Sequence, residues 1–372
     1  MSDHPRPVRV THLIHDLRPG GAEHLLVDLA ANAGASGLDV SIVSMRPLAD
    51  HRFAAELLGS GVPLHSLELA GWWDPRGPGR LRRILPELDP DVLHSHLKHA
   101  DAVAGRVARS AGIPHVSTLH LIEDAVGLIA GVKRNLGTRS RIRTAACTVA
   151  VSEAVRNWYL DSTAADPETV VTIHNGVPEP VPDPSAVNAI RTELGIAPDA
   201  VAVVMVAVMR PGKGHDTLLD AVAQIPDVDA VVVLVGDGPE AEGLRQRTDD
   251  PRVVFAGYRD DVGELLQAAD LVVHPSRRDA FPTALLHALA SGTAIIASDV
   301  EGIPEIVTPD VGVLVPPGEP LPLASALSAL VTEHSRRQEL GSGARTRYED
   351  HFTMAAWADR LTAMYLELLV RT

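Results

Sequence analysis

Asp279 and His287 stand eight residues apart in the segment Pro275–Thr293, where a hydrophobic run (Leu271 to His274) feeds a loop ending in Phe281-Pro282 and an Ala/Leu-rich helix follows. Pro282 suits the first helical turn, where its missing N–H costs nothing. The free amides around Phe281–Thr283 make an anion site, because unpaired N–H groups and the helix dipole both favour negative charge. Gly292 stands where the helix should stop. The segment therefore reads as a phosphate-sized cradle with a polar side chain at each end, Asp279 before it and His287 along it.

A cationic loop is the second candidate. Met209-Arg210-Pro211-Gly212-Lys213-Gly214-His215 closes the apolar run Val201–Met209. A cation pair there would neutralise a leaving group that gains charge as its bond breaks, Arg210 as a fork and Lys213 as a point charge. The bland alternative is a solvated loop. Lysine occurs only at positions 98, 133 and 213 in the whole chain, so one in such a loop carries extra weight.

Other candidates each have a structural alternative. Pro19-Gly20-Gly21-Ala22-Glu23 enters a helix; its glycines permit φ > 0 and close approach of a phosphate or sugar, or mark a plain turn. His120 ends the strand-like run Val116–His120, where an imidazole meets a ligand hydroxyl or simply bonds the strand end. His94, His96 and His99 invite a metal reading, since alternate strand residues share a face. Zinc prefers four closed ligands, and no third and fourth partner is evident. Asn175-Gly176-Val177, Gly236-Asp237-Gly238-Pro239 and Gly257-Tyr258-Arg259-Asp260-Asp261 are tight turns first and ligand-lining loops second. Cys147, in the apolar run Ala145–Val151, reads as an inert core thiol.

The elements that must position these residues alternate. Strand-like runs near 8–14, 40–45, 62–67, 91–96, 115–120, 148–151 and 170–173 are separated by helical stretches such as 22–33, 100–111 and 152–160. Val177–Pro184 holds four prolines and reads as a stiff linker. The alternation then restarts with runs at 201–209, 230–235, 253–258, 271–274 and 294–297, and the last sixty residues look wholly helical. This predicts an α/β chain of two doubly wound, Rossmann-like parallel-sheet domains, whose ligands bind beyond the carboxyl ends of the strands. The expected boundaries are 1–180 and 181–353, with 354–372 as a terminal helix.

Composition sets limits. At 372 residues, two domains are the better prior. A net charge of −15 argues against wholesale nucleic-acid binding. No apolar run reaches the roughly 18 residues of a spanning helix, and Met1–Pro5 lacks the charge and apolar run of a secretory signal, so the expected location is cytoplasmic. Basic residues gather at Arg76–Arg83, after Trp72-Trp73, and at Lys133–Arg143. They read as a solvated helix face, a weak peripheral contact with anionic lipid at the inner face of the membrane, or a binding patch for an anionic acceptor. The excess of arginine over lysine and the abundance of alanine suggest a GC-rich bacterial genome.

The run Asp279–Gly292, with Gly20–Glu23, Lys213-Gly214, Asn175–Val177 and Gly236–Pro239, resembles the motifs of retaining glycosyltransferases of family 4, over roughly Val8 to Val307. In that family the donor-site pattern reads about E-G-F-P-x-x-L-L-E-A-x-A-x-G; here Asp279 and His287 take the places of the two glutamates. The family's usual arginine lies five residues before the lysine, where this chain has Val208, so Arg210 would act from a different angle.

The resemblance implies a GT-B fold, with the domains facing a cleft, the first binding acceptor and the second a nucleotide sugar, and the terminal helix crossing back onto the first. It implies a UDP or GDP sugar donor, a small-molecule, glycan or lipid-linked acceptor, no metal and no cofactor. Lys213 and Arg210, with the backbone amides of Phe281 and Thr283 on either side of Pro282, would stabilise the leaving diphosphate. Asp279 would bind the sugar, His287 the ribose, and His120 the transferred sugar. Gly20 and Gly21 would border the diphosphate or sugar, and backbone at Gly236 and Tyr258 would line the nucleotide. A sugar-nucleotide epimerase of the same fold, or a non-catalytic homologue acting as a partner subunit, stays open beside the transferase.

Overall fold

The computed structural model describes residues 6–18, 20–48, 52–71, 74–123, 137–226 and 228–371. Trp72-Trp73, Lys133-Arg134, Pro19 and Met1–Pro5, which enter the readings above, lie outside them. The chain divides into two compact units, Met1–Pro178 with Met354–Thr372, and Glu179–Thr353.

The first unit is built on seven parallel strands: β1 (Val8–Ile14), β2 (Leu38–Ser44), β3 (Leu64–Ser66), β4 (Val92–His96), β5 (His115–Leu119), β6 (Cys147–Ala150) and β7 (Val170–Thr172), in the order β3-β2-β1-β4-β5-β6-β7. Chain direction across the sheet reverses between β1 and β4, which is where doubly wound sheets open a crevice at their carboxyl ends. One face packs Leu13, Val43 and Leu93 against Leu81, Ala100, Val103 and Ala104 of the helices Gly77–Leu88 and Leu97–Ala111. On the other lie the helix Gly21–Asn32 and the terminal helix Met354–Arg371, which contact each other and β1 or its flanks. Where the chain re-enters this unit, Met354 N donates to Val177 O at 2.9 Å.

The second unit has six parallel strands, β8 (Val201–Val206), β9 (Ala230–Val235), β10 (Val253–Gly257), β11 (Leu271–His274), β12 (Ala294–Ser298) and β13 (Gly312–Val315), in the order β10-β9-β8-β11-β12-β13. The equivalent reversal falls between β8 and β11. Apolar residues fill these strands almost without a break (Val-Ala-Val-Val-Met-Val in β8, Ala-Val-Val-Val-Leu-Val in β9), as strands covered on both faces require. β13 overlaps the segment expected to be wholly helical. Its four residues, Gly-Val-Leu-Val, pair with β12 and precede the helices Pro320–Thr332, His334–His351 and Met354–Arg371.

Candidate active site

At the β8/β11 reversal the two following loops touch backbone to backbone. Gly214 has φ +82°, and a Cβ there would sit 2.0 Å from the Pro275 carbonyl oxygen. Arg277 N donates to Gly212 O at 2.8 Å. The loop after β9 leans in as well, since a Cβ on Gly236 (φ +129°) would sit 2.1 Å from Ala207 O. Only glycine allows the approaches at Gly214 and Gly236. They bring Lys213, from the loop after β8, to Asp279, from the loop after β11, with Nζ 2.6 Å from Oδ2.

His274, the last residue of β11, completes the group with Nε2 2.9 Å from the same Asp279 oxygen. Burial pushes the Asp279 carboxyl upwards, but the His274 hydrogen bond and charge, together with Lys213, outweigh it and hold the group down at about 2. His215 opens the helix Thr217 lies on and is buried. Neither of its ring nitrogens makes a full hydrogen bond with the described residues. Burial pushes it down to about 4, His274 adding to the effect and Asp216 and the Ala207 backbone opposing it.

The helix after the loop runs from Thr283 to Ala290, with Pro282 as its N-cap residue and no side chain capping it. Pro282 therefore stands just outside the helix rather than in its first turn, and Asp279 lies in the preceding loop. Gly292 follows the end of this helix with φ +66°, the left-handed stop that the sequence implied. Phe281 is buried with its ring edge-on to Phe352, centroids 5.9 Å apart, so it offers a ligand only its backbone. His287 is half-buried one turn along the helix. Arg210 is exposed, and its side chain makes no hydrogen bond or ion pair with the described residues. Tyr258 is exposed beyond the end of β10, two strands from β8 in the sheet.

The Gly20-Gly21 turn of the first unit works differently from the expectation. Gly20 is extended (φ −167°) and Gly21 is the first residue of the helix, so neither uses a positive φ. What Gly20 supplies is space, since a Cβ would lie 2.3 Å from Glu23 Oε2. Burial pushes that carboxyl up to about 7, with its own backbone amide opposing the shift.

Register explains the histidines of this unit. His12 in β1 pairs with His94 in β4, and His96 pairs with Thr118 in β5. Side chains alternate along strands, so His12, His94, His96, Thr118 and, two residues on, His120 share a sheet face. His12 Nδ1 lies 2.9 Å from His96 Nε2, and His96 Nδ1 lies 2.9 Å from His120 Nε2. His94 stacks on His96 with centroids 4.6 Å apart and bonds Tyr365 Oη (2.6 Å) and Thr118 Oγ1 (2.7 Å). Burial pushes all four imidazoles down, His12 to about 3 and His120 to about 4.

Nitrogens of His12, His94 and His96 lie within 4.8 Å of one another, the spacing of a metal site. The residue set does not fit one well. All of its ring nitrogens but His12 Nε2 already bond one another, Tyr365, Thr118 or His120, and no carboxylate or thiolate among the described residues joins them. His99 belongs elsewhere, against the ring of His15 at 5.3 Å.

Two family models match the chain, Glycosyltransferase Family 4 over residues 19–179 and Glycosyl transferases group 1 over residues 200–333. The chain is a glycosyltransferase. It is 28% identical to the D-inositol 3-phosphate glycosyltransferase of Thermobispora bispora over 392 aligned positions, covering 95% of this chain and 91% of the relative. It is 27% identical to the N-acetyl-alpha-D-glucosaminyl L-malate synthase of Bacillus anthracis, covering 75% of each. Among solved structures, Anabaena HepE in complex with UDP-glucose superimposes with a TM-score of 0.82 at 24% identity, covering 96% of this chain and 99% of that one. The two parallel-sheet units match the GT-B architecture of such glycosyltransferase structures.

In this glycosyltransferase the buried polar groups missed from sequence are His274, His215, His12 and the pair Asp101–Arg141. Asp101 Oδ1 accepts from Ser95 Oγ (2.6 Å) and Ser117 Oγ (2.8 Å), and Oδ2 accepts from Arg141 Nε (2.9 Å). Arg141 therefore serves the interior. Others of the basic clusters are held by local bonds: half-buried Arg80 bonds the backbone of Leu67 and Glu68, while at the surface Arg82 bonds Ser110 and Arg76 pairs with Asp74. Cys147 is buried and its thiol is pushed up to about 12, chiefly by burial, as an inert core thiol would be. No helix among the described residues is long and apolar enough to cross a membrane.

Proposed function

We propose that this glycosyltransferase moves a sugar, with retention of configuration, from a uridine diphosphate sugar to an acceptor hydroxyl or amine. The observation that carries the reading is the Lys213–Asp279–His274 group at the β8/β11 reversal, beside an uncapped helix N-terminus. A cation and a helix N-terminus at one place suit a diphosphate that gains charge as the glycosidic bond breaks. The uridine preference is supported by HepE, whose complexes hold UDP and UDP-glucose.

In this reading Lys213 turns from Asp279 to the donor phosphates, and the exposed guanidinium of Arg210 assists. Asp279 keeps Oδ2 on His274 and offers Oδ1 to a sugar hydroxyl. His287 meets the ribose, and the backbones of Gly236 and Tyr258 line the base. In the first unit, Gly20 and Gly21 border the diphosphate and His120 meets the sugar. The acceptor oxygen forms its bond to the anomeric carbon on the face from which the phosphate oxygen departs. That phosphate takes the acceptor proton, so glycoside and nucleoside diphosphate are the products and no protein base is needed. The named substrates of the two relatives, an inositol phosphate and malate, favour an anionic hydroxyl compound as acceptor. Residues 1–178 serve as the acceptor domain and 179–353 as the donor domain.

The test is incubation with UDP-glucose, UDP-N-acetylglucosamine and GDP-mannose, with polyol phosphates and hydroxy acids as acceptors, with and without chelator. Product configuration is read by NMR. An α-glycoside formed from an α-linked donor supports retention. A β-glycoside, or an altered free sugar released without acceptor, sinks the reading, the latter in favour of an epimerase.

A further inference from the structure

Three imidazoles of the first unit form a continuous chain, His12 Nδ1···Nε2 His96 Nδ1···Nε2 His120. At the inner end, His12 is fully buried and its Nε2 has no hydrogen-bond partner among the described residues. It lines a small, partly open pocket in which the apolar walls Leu25, Leu26 and Trp357 meet His96, His120 and Asn175. At the outer end, His120 is half-buried at the carboxyl end of β5, and its bond to His96 is the hydrogen bond it makes with the described residues.

A neutral imidazole has one N–H and one lone pair, and two N···N bonds in series allow just two proton arrangements. In one, every ring donates outwards: His12 Nδ1–H to His96, His96 Nδ1–H to His120, and His120 is left with Nδ1–H. In the other, every ring donates inwards, His12 Nε2–H is left without an acceptor among the described residues, and His120 Nδ1 is a bare acceptor. A buried N–H without an acceptor is among the rarest features of folded proteins, and a lone pair left unpaired is better tolerated. The outward arrangement is therefore the stable one.

We propose that His96, backed by His12, is a positioning residue that locks His120 as the Nδ1–H tautomer, so that His120 can only donate a hydrogen bond to its ligand's oxygen. Fixing one ring nitrogen's proton through the partner of the other is a common way to set a working histidine. The stack of His94 on His96, held by Tyr365 and Thr118, keeps the central ring from turning. The consequence for transfer rests on the proposed role of His120 at the sugar; the tautomer assignment does not.

The experiment uses the full-length protein labelled with 15N-histidine, its His120 signal assigned by loss in His120→Gln. Long-range proton–nitrogen correlation spectra at pH 7.5 report which ring nitrogen carries the proton. Wild type is expected to show His120 protonated at Nδ1. In His96→Ala and His96→Leu, checked for native circular dichroism, His120 should revert to the Nε2–H form that free histidine side chains favour. A wild-type His120 protonated at Nε2, or a tautomer unmoved in both variants, overturns the proposal. Kinetics supply the second arm: His96→Ala should lower kcat/KM by about tenfold, as loss of one oriented hydrogen bond would. Combined with His120→Ala, it should cost no more than His120→Ala alone. A switched tautomer with unchanged turnover would uphold the lock and remove His120 from the sugar.

Discussion

Lys213 Nζ and Asp279 Oδ2 lie 2.6 Å apart, joining the loops that follow β8 and β11, and both side chains are largely shielded from solvent. The pair places a carboxylate where a diphosphate is proposed to bind, so the two anions compete for one ammonium. Asp279→Asn removes the competitor and keeps the shape. UDP should bind Asp279→Asn more tightly than wild type, while sugar transfer falls. Lys213→Ala should weaken UDP binding and lower turnover by two to three orders of magnitude, the usual cost of losing a donor to developing charge. Calorimetry of UDP binding without divalent metal checks both. Weaker binding to Asp279→Asn would show that the pair holds the loops rather than competing with ligand.

The buried imidazoles predict how stability follows pH. His12, His94, His96 and His120 are neutral when folded, with values far below 6.5 because burial disfavours the cation. Unfolded, they titrate near 6.5. Between about pH 6.5 and 4 the unfolded chain holds more protons, so stability falls as pH falls. An imidazole protonated only in the unfolded chain contributes at most about 1.4 kcal/mol per pH unit. Urea midpoints of the wild type should drop steeply between pH 7 and 5, and those of a His12→Phe variant less steeply. A flat profile would mean that water reaches these rings.

Glu23 should behave in the opposite sense. Its folded value is raised to about 7, chiefly by burial. The folded state then binds the extra proton between about pH 4.5 and 7, and stability falls as pH rises through that range. Glu23→Gln should raise the unfolding temperature at pH 8 and change it little at pH 5. Equal effects at both pH values would place the Glu23 carboxyl in solvent.

Much of the fold could be read in advance because strands buried on both faces are written as unbroken apolar runs. β8 and β9 are examples, and the Asp279–Gly292 motif marks the helix that follows β11. β13 escaped because Gly-Val-Leu-Val is too short to tell from the start of a helix. Lys213 and Asp279 were legible as separate motifs, but not as a pair, since sixty-five residues separate them and the loop contacts at Gly214 and Gly212 that join them exist only in the fold. His274 was read as the end of a strand. His12 gave no signal of its own, because its partnership with His96 exists only through the β1–β4 register.

The loop contact offers the sharpest separation of shape from charge. Gly212 and Gly214 flank Lys213, both with positive φ, +88° and +82°. A Cβ at Gly212 meets nothing within 4 Å, whereas one at Gly214 would sit 2.0 Å from Pro275 O. Gly212→Ala should therefore cost only the left-handed backbone penalty, about 1–2 kcal/mol, and should leave UDP affinity within a few-fold of wild type. Gly214→Ala carries the same penalty and must also push the two loops apart, which moves Lys213 relative to Asp279 and to the start of the helix at Thr283. It should lose more stability and at least tenfold in UDP affinity. Urea denaturation and calorimetry on both variants check this. If the two behave alike, the Gly214–Pro275 approach does not set the geometry of the anion site, and the positive φ alone explains why glycine stands there.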